Sequence, residues 1–96
     1  GDNITAGVRH AYYLQDRLDE GMALLATLEP QIVPLKSRSA LLYTLAQYWL
    51  GRNQHAAARR AFTQIVTWRA SLWHVDQARR QLWRMDRDQD QNVDRL

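Results

Sequence analysis

The 96-residue chain has no cysteine, only two prolines, four glycines and a single lysine, Lys36. Without cysteine there can be no disulfide framework and no thiolate metal site, and the redox compartment stays open. So few breakers leave long uninterrupted stretches, and none of these alternates apolar and polar residues with the period of a strand. The pattern therefore predicts an all-α fold. No apolar run approaches the roughly 20 residues that a membrane-spanning helix needs, and no signal-peptide pattern opens the chain. The 46% apolar content and four tryptophans argue for a folded chain rather than a disordered one. Its length corresponds to one small domain, near the lower edge of what buries a self-sufficient core.

Catalytic patterns are missing as well. His10, His55 and His74 fall on three separate predicted helices, with no i,i+4 pair to hold zinc. There is no Ser/His/Asp constellation, no phosphate-cradling glycine motif and no pair of inward carboxylates, so the expectation is a non-enzyme with no cofactor. Asp86, Asp88, Asp90, Asn92 and Asp94 echo the spacing of a calcium loop. Gln91 occupies the position where such a loop needs glycine, so a solvated acidic tail accounts for them better and no metal site is expected.

Charge is present but unevenly divided. Residues 1–35 carry two Arg against five acids (−3), residues 36–84 carry Lys36 and eight Arg against Asp76 alone (+8), and residues 85–96 carry two Arg against four Asp (−2). A basic middle between acidic ends suits an acidic partner, nucleic acid or head-to-tail self-association. The alternative is a set of charges spread over solvated helix faces.

Helical periodicity and turn chemistry predict about five antiparallel helices. The first ends near Gln15, after a cap at Asp2, Asn3 or Thr5, and the second runs from Asp19 to Glu29 with Leu25 and Leu28 inward. Pro30 and Pro34 interrupt the helical pattern, and Ile32, Val33 and Leu35 are expected to cover the end of the core. Ser37 or Ser39 is expected to cap the third helix, which ends near Leu50. Its apolar face holds Leu42, Leu45, Ala46 and Trp49. A turn at Gly51–Asn53 leads to a fourth helix from Gln54 to Trp68 that buries Ala58, Ala61, Phe62 and Ile65. The fifth runs from Ser71 to Arg87 with an inner stripe of Leu72, Val75, Ala78, Leu82, Trp83 and Met85. Residues 1–87 form the domain, and residues 88–96 are expected to be a disordered polar tail.

One stretch carries a recognisable pattern. In Leu42–Phe62, the residues Leu42, Leu45, Ala46, Trp49, Ala58 and Phe62 set a large residue, a leucine, a small residue and an aromatic ahead of an alanine and a second large residue. This order resembles the signature of the tetratricopeptide repeat, a helical hairpin. Ile65 and Ala70 depart from it, standing where the signature has a small residue and a proline. A single offset of 37 residues lays Val8 on Leu45, Tyr12 on Trp49, Gly21 on Ala58, Leu25 on Phe62 and Leu28 on Ile65, which suggests a degenerate first repeat. Arg9 breaks that pattern at a small position. The repeat is about 34 residues long, and the extra residues fall in the Pro30–Lys36 segment.

The resemblance implies two hairpins plus a capping helix, in a module that scaffolds or adapts by holding a peptide or helix of another protein. The first helix of each repeat would line a groove, which assigns Asn3, His10 and Tyr13, then Tyr43 and Gln47, then Trp73 and Arg80 to a partner-binding surface. Some members grip a C-terminal carboxylate with Lys, Asn and Arg; Ala6, His10, Thr44, Trp73 and Gln77 stand at those positions, so that clamp is not implied. The expected occupant is an acidic or amphipathic segment. A basic surface of Arg59, Arg60, Arg79 and Arg84 supports nucleic acid as the weaker alternative. A third reading is structural, as an oligomerising piece of a longer repeat array.

Overall fold

A computed structural model describes the backbone of residues 17–94 and the side chains of residues 17–89. Every regular element among the described residues is helical. Helix α1 covers residues 17–28 and passes into a 3₁₀ turn at Glu29–Gln31. Helix α2 is Leu35–Gly51, α3 is His55–Trp68 and α4 is Leu72–Asp94. The first expected helix lies outside the described residues, and with it the first hairpin and the count of five.

Connections of three residues join α2 to α3 and α3 to α4, which forces antiparallel neighbours. Helix α3 is the middle layer, packed broadly against both α2 and α4, while α2 and α4 meet only lightly. Its small residues make that possible: Ala58 and Ala61 are buried, as are Ala46 of α2 and Ala78 of α4. Leu45, Phe62 and Ile65 fill the space between, and Met22, Leu25 and Ala26 of α1 close the core from the α2 side.

The α2–α3 turn follows from the chemistry of helix ends. Asn53 takes the left-handed conformation at φ 61°, the Gln54 N–H donates to the Trp49 carbonyl at 2.8 Å and the Asn53 N–H to the Leu50 carbonyl at 3.2 Å. This is the Schellman pairing, with Asn in the role glycine usually fills. Gly51 is therefore the last helical residue, not the turn residue. At the end of α3, Arg69 takes φ 52° and its N–H reaches back to the Ile65 carbonyl. Helix α4 then starts after Ser71, whose carbonyl accepts from the Val75 N–H and whose hydroxyl lies 2.6 Å from His74 Nδ1.

Several expectations are corrected. Helix α2 begins at Leu35, with extended Pro34 as its cap residue, so neither Ser37 nor Ser39 caps it. The Pro34 carbonyl takes the first helical bond from Arg38, and Ser39, one turn in, is buried with a hydroxyl that has no hydrogen-bond partner among the described residues. Leu28, Val33 and Leu35 are exposed, Val33 at 86%, and of the apolar residues between the two prolines only Ile32 is partly covered. On α4 the covered stripe is Val75, Ala78, Leu82 and Met85. Leu72 (81% exposed) and Trp83 (62%) lie outside it. A helix with one main neighbour covers only the narrow seam that faces it. Helix α4 also continues to Asp94, seven residues past the end expected at Arg87, through the segment assigned to a tail.

Two substitutions separate packing from backbone effects. Phe62→Ala is expected to cost about 3–5 kcal/mol, as for other large-to-small changes in a filled core. Gly51→Ala is expected to stabilise by about 0.5–1 kcal/mol, since a Cβ there meets nothing within 4 Å and the position is helical. Urea denaturation checks both, and a destabilised Gly51→Ala would contradict the turn assignment.

Candidate functional site

The face shared by α2 and α4 gathers aromatic side chains around Tyr43. Gln47, one turn later on α2, donates from Nε2 to the Tyr43 hydroxyl at 2.7 Å and fixes that ring from its own helix. Tyr43 meets Phe62 edge-on at 5.9 Å between centroids, Trp73 at 5.9 Å and His74 at 5.7 Å. Trp73 and His74 stack edge-on at 4.9 Å. Such edge-to-face pairs contribute about 0.5–1.5 kcal/mol each beyond their buried area. Trp73 nevertheless leaves 62% of its surface in water. The indole is held in place and still presented outward.

Of the residues assigned from sequence to the groove, the structure brings Tyr43, Gln47 and Trp73 together. Arg80 stands two turns beyond Trp73, with its Nε 3.2 Å from Asp76 in an exposed i,i+4 pair, a kind of contact that is worth little. Asn3, His10 and Tyr13 lie outside the described residues. Sequence reasoning missed His74 and Ser71. The signal was the Ser-x-x-His spacing at a helix start, which resembles a capping box with the imidazole in place of the carboxylate.

The basic residues divide between two places: Arg59 and Arg84 border one cleft between α3 and α4, with Arg79 next to Arg84, whereas Arg60 lies apart. Arg59 pairs with Asp86 of α4 at 2.8 Å. Arg60 is exposed on the other side of α3, beside Trp68. Arg79 and Arg84 are exposed around Trp83, whose ring carries the Arg87 guanidinium at 4.9 Å.

The opposite flank of α2 holds a second cluster. Glu29, 8% exposed in the 3₁₀ turn, accepts a hydrogen bond at 2.6 Å from Arg38 Nε, and the same guanidinium lies 4.5 Å over the Trp68 ring. These groups border a groove of about 330 Å³ that also includes Leu42, Trp49, Arg60 and Gln64. A pairing nine residues apart across two prolines leaves no periodic trace in the sequence. A larger cleft of about 730 Å³ between α3 and α4 is bordered by His55, Arg59, Met85 and Asp88. The Asp86 partner neutralises Arg59 there.

Helix α1 is fastened to α2 by a polar clamp. The Tyr48 hydroxyl donates to Asp19 Oδ1, and Arg52 pairs with the same oxygen at 2.9 Å while lying 5.6 Å from the Tyr48 ring. The hydrogen bond to Asp19 raises the Tyr48 pKa above its ordinary value of 10.0, helped by desolvation and by the carboxylate charge, with Arg52 opposing.

Among the described residues no helix is long and apolar enough to cross a membrane, and no three His, Cys, Asp or Glu residues gather to hold a metal ion. No family model, curated protein or solved structure matches the chain. The fold thus defines a class by its geometry alone: an all-α chain of short-looped antiparallel helices with aromatic side chains held at its surface.

The clamp makes a pH prediction. The folded chain holds the Tyr48 proton more tightly than an unfolded tyrosine does, so this contribution is whole below pH 10.0 and is lost as pH rises through the higher folded-state value. Stability measured at about pH 8 and about pH 11 should fall less in Tyr48→Phe than in the parent chain. An equal fall in both would show that the Tyr48–Asp19 bond does not contribute.

Proposed function

We propose that the chain is a protein–protein interaction module of the tetratricopeptide-like kind, which holds an acidic or amphipathic segment of a partner against the α2–α4 face. The observation that carries this reading is Trp73. It is a large aromatic side chain, mostly exposed and already held edge-on by Tyr43 and His74. An anchor whose orientation is set before binding loses little side-chain entropy when a partner covers it. Tryptophan and tyrosine at such positions supply a disproportionate share of interface energy. Tyr43 and Gln47 form the wall beside it, and Arg80 lies two turns along. The +8 balance of residues 36–84 favours an acidic occupant.

A second reading has its own observation. Trp83 is exposed among Arg79, Arg80 and Arg84, an arrangement that can stack a base and contact phosphate. Its signature is capture that vanishes with nuclease and falls steeply with salt.

Trp73→Ala is expected to weaken partner capture by about tenfold or more, equivalent to about 1.4 kcal/mol, while lowering unfolding free energy by no more than about 1–3 kcal/mol, the contribution of its two edge-to-face pairs. Quantitative capture from source-cell lysate with parent and variant, alongside urea melts, measures both. A large stability loss would make Trp73 a packing residue. Nuclease-sensitive capture that survives Trp73→Ala and disappears in Trp83→Ala would favour the nucleic-acid reading.

A further inference from the structure

We infer that the groove along the α2–α3 seam, on the flank of α2 away from Tyr43, takes a partner-protein segment that presents an acidic side chain beside an aromatic one. Arg38 is the central group. Glu29 holds its Nε at 2.6 Å and Trp68 supports its plane at 4.5 Å, so the guanidinium is fixed before anything binds. The Glu29 hydrogen bond uses Nε, and a fixed guanidinium carries further N–H donors on its Nη nitrogens that suit a carboxylate. Arg60, which has no ion pair among the described residues, borders the same groove with Gln64. Glu29 and Arg38 cancel, so Arg60 leaves the site with one net positive charge.

The remaining walls are Leu42, Trp49, Ala61 and Trp68. Two tryptophans beside a carboxylate could suggest a cage for a cation. That position is taken, because the chain's own Arg38 already lies over Trp68 and holds the carboxylate. An anion with an apolar body is what the groove lacks. Its volume of about 330 Å³ is at the small end for a ligand pocket. The groove is also open along the seam, so a small free acid would stay largely in water, whereas a polypeptide segment would cover the opening. On α2, Arg38 lies roughly 140° around the helix from Tyr43. The two sites are therefore independent, and this inference does not depend on the outcome for Trp73.

The test titrates the peptide acetyl-Ala-Glu-Phe-Ala-amide into the ¹⁵N-labelled full chain and follows the four indole N–H signals. Saturable shifts are expected at Trp49 and Trp68, with Trp83 unmoved. Affinity should fall by about fivefold or more when the peptide Glu becomes Gln or the Phe becomes Ala, the scale of losing one charged hydrogen bond or one buried ring. Arg60→Gln, a change at a solvent-facing side chain, should cause a similar loss while leaving the melting curve in place. Equal affinity for the Gln peptide, or no saturable shift at Trp49 and Trp68, overturns the inference. Binding of 3-phenylpropionate as tight as that of the peptide would assign the groove to small acids and overturn it too. Shifts confined to Trp73 would overturn it while leaving the α2–α4 reading intact.

Discussion

The close approach of three helices through alanine is the constraint on which the rest depends. Ala46, Ala58, Ala61 and Ala78 are each less than 5% exposed, and they sit where α3 meets its neighbours on either side. Larger side chains at these points would push the helix axes apart, since the separation of packed helices is set by the residues at the contact. Phe62, Leu45 and Ile65 fit the space that this separation leaves. The same separation brings Tyr43 of α2 within edge-to-face distance of Trp73 on α4, although those two helices touch only lightly. The exposed indole is thus placed by the alanines that set the helix spacing.

Around that apolar centre, polar contacts do local work at the margins. Glu29 and Arg38 tie the 3₁₀ turn to α2 and, through Trp68, to the end of α3. Asp19, Tyr48 and Arg52 tie α1 to the other end of α2. The Glu29–Arg38 pair is the more enclosed, with side-chain exposures of 10% and 25%, so solvent screens it less than the surface pairs of α4. Among the described residues Ser39 is the exception, a buried hydroxyl with no partner. Such a group costs desolvation energy without a compensating bond.

The sequence made some layers of this structure legible and hid others. The α2–α3 hairpin could be read almost to the residue, because Leu42, Leu45, Ala46, Ala58, Phe62 and Ile65 repeat at helical spacing and a polar turn separates the two sets. Helix starts were less clear. Serines at 37 and 39 resemble caps, yet Pro34 fixed the start earlier through its backbone, and a backbone cap leaves no side-chain signature. The inward assignments of Leu28, Val33, Leu72 and Trp83 failed for a different reason. Hydrophobicity says which residues would gain from burial, not whether a neighbour exists to bury them. Tyr43, Gln47 and Trp73 were legible only through the resemblance to a known repeat. Glu29 with Arg38, and Ser71 with His74, emerge only once the helix ends have been positioned.

The middle position of α3 governs how disturbance travels. Helices α2 and α4 both rest on α3 and only lightly on each other, so order in the chain is close to order in space. In such an arrangement each layer senses mainly the layers beside it, as in a one-dimensional stack. A loosening of α4 reaches α1 by passing through α3 and α2 in turn, with the Tyr43–Trp73 and Tyr43–His74 contacts as a short cut between α4 and α2. Whatever loads the exposed indole therefore pulls on α2 directly, without first having to move α3.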